Sequence, residues 1–195
     1  DLLRMGSLAD EALARALQAL EDQDLDSARR VALEDARINE VRVKIEERCL
    51  LLIAREQPVA TDLRAIVAGL TIASEIERMG DHAAGIAKTV LRMGSQLPLM
   101  PLVDLHRMAD EGRSMLRTSL DAYVRRDSEL AQSVAWRDDV IDELYQDVFR
   151  QIVALIADEP TSSARAMYLL FTGHNLERIG DRCVNIAERV IFINS

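Results

Sequence analysis

Residues that interrupt helices are scarce in this chain, with eight glycines and four prolines in 195 positions. Aromatic side chains make up only 4 %. With Ala, Leu, Arg and Glu dominant instead, this is the usage of an all-helical protein. Long apolar runs are missing too: the longest, around residues 50–54 and 66–73, fall far short of the 18 or so needed to span a bilayer. No signal peptide is recognisable. An excess of basic charge is also lacking, because 24 bases face 33 acids for a net charge of −9. That argues against a protein that tracks a phosphate backbone, so no nucleic-acid partner is expected. Cysteine is limited to Cys49 and Cys183, which read as small core residues in a reducing cytoplasm rather than a disulfide or zinc site. The chain opens on Asp1-Leu2-Leu3 already in helical pattern, as expected of a piece that lacks part of its first helix.

What is present is a duplication. Glu77-Arg78-Met79-Gly80-Asp81 returns 100 positions later as Glu177-Arg178-Ile179-Gly180-Asp181. Around it Ile76, Ile86, Ala87 and Val90 correspond to Leu176, Ile186, Ala187 and Val190. Upstream, Asp35-Ala36-Arg37-Ile38-Asn39-Glu40 echoes Asp138-Asp139-Val140-Ile141-Asp142-Glu143 at an offset of 103, and Gln57-Pro58 echoes Glu159-Pro160. The length suits one sizeable domain or two of about 100 residues, and the repeat favours two similar halves.

The breaks delimit six helices. The first runs to Asp22, and the acidic turn at Gln23-Asp24 caps a second over 25–56, which Pro58 ends. Thr61 is expected to cap a third over 62–93. The second half repeats the plan over 102–125, 128–157 and 162–193. Short connections make neighbours antiparallel, so the expected fold is all-α, two tandem pseudo-symmetric three-helix bundles of six long antiparallel helices. The first bundle covers 1–94, a linker 95–101, and the second bundle 102–195. Inward stripes follow from spacings of three and four: Ile38, Val41, Ile45, Cys49 and Leu52; Ile72, Ile76, Met79, Ala83, Ile86 and Val90; and Leu176, Ile179, Cys183, Ile186 and Val190.

Glu77 and Asp81 lie on one side of their helix, about 40° apart and away from that stripe. Asp35 and Asn39 fall at the edge of the second helix's stripe. A groove between the two helices brings these four oxygen donors together, and Asp138, Asp142, Glu177 and Asp181 repeat the arrangement. Acids four residues apart repel, so a positive partner is expected. Carboxylates with an amide carbonyl are hard donors, suited to divalent or trivalent metal ions such as Mg, Ca, Mn or Fe and less ideally Zn, and bridging carboxylates can hold more than one ion. A solvated acidic face is the plain alternative, against which the exact recurrence speaks. Mid-helix Gly80 and Gly180 cost about 0.5–1 kcal/mol relative to alanine, and serve either close helix approach or clearance beside a ligand. Arg78 and Arg178 either pair locally or meet an anion. His82, whose counterpart is Arg182, is a minor ligand candidate, while His106 and His174 read as structural. Trp136, Tyr145, Phe149 and Phe171 are expected to pack between helices.

With the Asp62-Leu63-Arg64 string after Gln57-Pro58, the two Glu-Arg-x-Gly-Asp strings and Asn185-Ile186-Ala187-Glu188, the whole chain resembles the PhoU family. The resemblance implies tandem three-helix bundles and a non-enzymatic cytoplasmic regulator of phosphate homeostasis. Such a regulator represses phosphate-starvation genes and high-affinity uptake, linking the ATPase subunit of the phosphate ABC transporter to a membrane sensor histidine kinase. It also implies multinuclear metal clusters (Fe, Zn, Mn or Mg) on Asp35 with Asn39, Glu77 with Asp81, Asp138 with Asp142, and Glu177 with Asp181. With the amide of Asn39 in place of a carboxylate, the first groove is expected to hold its ions more weakly than the second. A homodimer is expected through the third and sixth helices, read as exposed. The rival classes are a ferritin-like carboxylate di-metal enzyme, whose inward Glu-x-x-His pairs this sequence lacks, an inert scaffold, and a PhoU-like domain of another phosphate transporter.

Overall fold

Asp24 and Asp127 start the second helix of each half in the same way. In this computed structural model, which describes residues 1–94 and 98–194, Asp24 Oδ1 accepts from the Ser27 N–H and Asp127 Oδ1 from the Leu130 N–H, both at 2.9 Å. Before each cap a residue turns the chain in the left-handed region, Gln23 at φ 53° and Arg126 at φ 55°. The helices so delimited are α1 (Leu2–Asp22), α2 (Leu25–Glu56), α3 (Ala60–Met93), α4 (Val103–Arg125), α5 (Ser128–Asp158) and α6 (Ser163–Asn194), with a 3₁₀ turn at Pro160–Ser162. Removing either cap as Asp24→Ala or Asp127→Ala is expected to cost about 1 kcal/mol. Urea unfolding checks this, and the two losses should match because the two geometries do.

Thr61 does not cap α3. The helix begins at Ala60, whose φ of 48° turns the chain sharply after Pro58, and Thr61 falls inside the first turn. Of the expected linker, residues 95–97 lie outside the described residues and 98–101 have no regular structure.

Within each half the three helices pack on one another, and the halves meet through α3 against α6 and α1 against α4. Arg64 over Phe192, Glu75 on Arg182 and His82 on Asn175 show that α3 and α6 run antiparallel along their length. The two bundles therefore share one hydrophobic core that runs through both halves. The α3 and α6 stripes predicted above are buried at every position.

Three expectations need correction. Leu52 is 47 % exposed, whereas Ile38 and Ile45 are buried, because α1 begins opposite Arg48 and leaves the last turns of α2 without an α1 neighbour. Trp136, Phe149 and Phe171 face solvent; only Tyr145 packs inward, its ring against Gly173 and 6.4 Å from the His174 ring. Third, α3 and α6 are the central helices rather than exposed ones. Beside the apolar stripe, a second face of α3 carrying Glu75, His82 and Gly85 lies against α6, where a Cβ on Gly85 would stand 2.8 Å from Asn175 Oδ1.

Candidate functional site

The recurrent glycine marks the point where each acidic groove closes. A Cβ on Gly80 would stand 2.7 Å from Ile38 Cδ1 and 3.1 Å from Asp35 Oδ1; one on Gly180 would stand 2.5 Å from Asp138 Oδ1 and 3.0 Å from Ile141 Cδ1. The close-approach reading of the glycine therefore holds. It lets α2 approach α3, and α5 approach α6, and it clears space for a carboxylate laid over the helix backbone.

That carboxylate is in the same condition in both halves. Asp35 Oδ1 and Asp138 Oδ1 are buried without a hydrogen-bond partner, as is Glu177 Oε2. Burying an acceptor unpaired is costly, and the same oxygen carries that cost at equivalent places in the two halves. Burial pushes the Asp35 carboxyl above its usual range, helped by the nearby carboxylates of Asp81 and Glu77. Burial and Asp81 likewise raise Glu77. In the second groove Asp138 is pushed up to about 6 by burial and by Asp142, Asp181 and Glu177. Asp142 and Glu177 are raised by burial and by Asp181. Each groove thus brings its predicted acids within electrostatic reach of one another, and each favours added positive charge.

Guanidinium groups supply part of that charge. Arg178 donates to Asp181 Oδ2 at 2.9 Å and lies 3.1 Å from Glu177 Oε2 without hydrogen-bond alignment. In the first groove Arg42 donates to the Asn39 carbonyl at 2.9 and 3.1 Å. Arg78 pairs with Glu75 at 3.5 Å instead of reaching the groove. Among the described residues no three His, Cys, Asp or Glu side chains converge into a cage for one ion. The donor chemistry and the orphaned oxygens fit a hard cation; seating one requires Glu177 and Asp181 to swing inward from Arg178 in the second groove, and the Asn39 carbonyl to leave Arg42 in the first.

His174, read as structural, lies 3.6 Å from Glu177 Oε2 at the rim of the second groove. His106 also has an acidic neighbour, Glu21, at 3.5 Å. His82 turns away from the acids to meet Asn175 Oδ1 at 3.1 Å, and burial lowers its pKa.

Sequence reading missed the polar contacts where the halves meet. Buried Glu75 accepts from Arg182 at 3.1 Å and from Asn185 at 3.0 Å. Across the pseudo-twofold the equivalent positions are Asn175, His82 and Gly85. One side of the α3–α6 crossing carries a buried ion pair, the other a neutral His–Asn contact. The signal was available in the 100-residue offset, at which Glu75 faces Asn175 and His82 faces Arg182 in the alignment of the halves.

Fold and grooves together define a six-helix, internally duplicated protein with one acidic groove per half. The family model described as PhoU domain matches residues 2–90 and 105–190. The chain belongs to the PhoU family. It is 36 % identical over 194 residues to a phosphate-specific transport system accessory protein PhoU homolog of Clostridium acetobutylicum, covering 99 % of this chain and 89 % of that one. It superposes on the crystal structure of PhoU from Pseudomonas aeruginosa with a TM-score of 0.93 at 33 % identity, covering 99 % of this chain and 93 % of that one. The phosphate transport system regulatory protein PhoU from Streptococcus pneumoniae matches with a TM-score of 0.91 at 32 % identity, over 100 % and 91 % of the two chains. These relatives are named as accessory and regulatory proteins rather than enzymes, in agreement with the non-enzymatic reading. No described helix is long and apolar enough to cross a membrane.

Proposed function

We propose that the protein is a cytoplasmic accessory regulator of phosphate transport. In this reading it represses phosphate-starvation signalling and high-affinity uptake when phosphate is plentiful, as an adaptor between the transporter's ATPase subunit and a sensor histidine kinase. The observation that carries the reading is family membership over both halves of the chain, with relatives named for the phosphate-specific transport system. The test is a phosphate-starvation reporter in the source organism. Deleting the gene is expected to leave the reporter on in high phosphate, and restoring the intact chain to silence it. A reporter indifferent to the deletion overturns the regulatory role, and a pull-down in high and low phosphate checks the two partners.

The grooves are the proposed metal sites. Asp138, Asp142, Glu177 and Asp181 would hold ions in the second half, and Asp35, Glu77 and Asp81 with the Asn39 carbonyl in the first, where fewer charges imply weaker binding. The bound metal would supply the positive charge that the raised carboxyl pKa values call for. Elemental analysis of protein purified without chelator is expected to find metal that Glu177→Gln with Asp181→Asn reduces. If stripped protein takes up no ion at either groove, the metal reading fails. A homodimer is kept as part of the proposal, through a surface other than α3 and α6, with the sedimentation mass as its check.

A further inference from the structure

On the side of α2 away from the acidic groove, α1 and α2 enclose a cavity of about 130 Å³ lined by Asp1, Arg4, Arg37, Glu40, Lys44 and Arg48. At 100° per residue Arg37, Lys44 and Arg48 share one face of α2, roughly opposite Asp35 and Asn39. Arg48 pairs with Asp1. Arg4, Arg37 and Lys44 make no hydrogen bond or ion pair with any described residue. All three are exposed, and they stand together although other cations of α1 and α4 are held by carboxylates, Arg15 by Glu34 at 2.5 Å and Arg113 by Asp10 at 2.6 Å.

The duplication supplies an internal comparison. At the offset of 103, Asp1 and Arg48 correspond to Asp104 and Gln151, which also touch, the Gln151 amide donating to Asp104 at 2.9 Å. The two places are thus equivalent in packing. In the second half Arg107, the counterpart of Arg4, is held by Asp104 at 3.3 Å. Arg37 corresponds to Val140, and Lys44 to Asp147, which Arg150 holds. Four cations and two carboxylates in one half face one cation and three carboxylates in the other, with Glu40 matched by Glu143. Helix packing therefore does not require the cations. Something else accounts for their convergence in the first half alone.

The geometry points to a binding site in the first half for one small multivalent oxyanion, a phosphate-type tetrahedral group that is either free in solution or the headgroup of an anionic lipid. Arg4 and Arg37 present planar forks that match two oxygens at once, and Lys44, two turns along α2 from Arg37, adds a mobile point charge. The two carboxylates leave a surplus of two positive charges, which suits a doubly charged ion such as hydrogen phosphate. This site stands apart from the acidic grooves and does not depend on their holding metal.

The test titrates inorganic phosphate into the full chain at ionic strength held constant with chloride, following backbone and arginine side-chain NMR signals. Saturable shifts centred on Arg4, Arg37 and Lys44 are expected. Lys44→Asp, which copies the second half, should weaken binding about tenfold or more, and Arg30→Gln, which removes an exposed charge elsewhere on α2, should leave it unchanged. A parallel arm sediments the protein with phosphatidylcholine vesicles with and without phosphatidic acid. Retention that needs the acidic lipid and is lost in Lys44→Asp identifies the headgroup as the source, and a response to free phosphate identifies the ion. The site is overturned if neither probe gives a response that Lys44→Asp weakens more than Arg30→Gln does.

Discussion

Glu75→Ala is expected to lower the stability of the whole chain by about 3 kcal/mol, the usual cost of removing one partner of a buried ion pair. Glu75 is 7 % exposed and takes hydrogen bonds from Arg182 and Asn185 across the crossing of α3 and α6, at 3.1 and 3.0 Å. Truncating it leaves the Arg182 guanidinium, only 18 % exposed, without its carboxylate. The uncompensated charge sets the size of the loss more than the missing attraction does. The equivalent contact on the other side of the crossing is neutral, His82 with Asn175, so Glu75→Asn combined with Arg182→His copies an arrangement this fold already accepts. That double variant is expected to recover most of the loss. Urea unfolding followed by far-UV circular dichroism measures both. A loss below about 1 kcal/mol for Glu75→Ala would show that solvent reaches Arg182 freely and that the pair does not hold the halves together.

The helices were legible because the chain has few breaks and those few are placed with purpose. Pro58 and Pro160 end the long second helices, and Asp24 and Asp127 restart the chain after left-handed turns. The clustering of acids in two equivalent grooves was legible from the duplication, because a solvated acidic face has no reason to repeat Glu-Arg-x-Gly-Asp with the glycine in register. Two things were not legible. A period of 3.6 residues tells which face of α3 is apolar, but not that a second, more polar face with Glu75, His82 and Gly85 also meets a helix. The reading of α3 and α6 as exposed failed for that reason, and the Glu75–Arg182 contact was missed with it. Exposure of Trp136, Phe149 and Phe171 was hidden for a different reason, since large aromatics are ordinarily interior and the patterns of α5 and α6 do not show where their neighbours stop.

Asp138→Asn is expected to stabilise the protein while weakening its second groove as an ion site. Asp138 titrates near 6 in the folded chain against an ordinary 3.8, raised by burial and then by Asp142, Asp181 and Glu177. Between those values the folded chain keeps a proton that the unfolded chain has lost, so stability falls as pH rises through the window and is lowest above it. A shift of about two units corresponds to roughly 3 kcal/mol, which solvent screening of this half-buried carboxylate reduces to about 1–2 kcal/mol. The asparagine carries no charge to desolvate. In chelator-treated protein the variant should therefore gain about that amount over wild type at pH 7, and the gap should close as pH falls below 4. The difference between the two stability curves isolates this site from the other carboxylates, and a gap that does not vary with pH would refute the assignment. Adding Mn or Mg ions should reverse the order. The wild-type groove gains stability by mass action as it binds, while the variant, one carboxylate short beneath Gly180, gains less. The charge repulsion that weakens the ion-free fold is the same repulsion that a bound cation relieves, so stability and ion affinity at Asp138 must move in opposite directions.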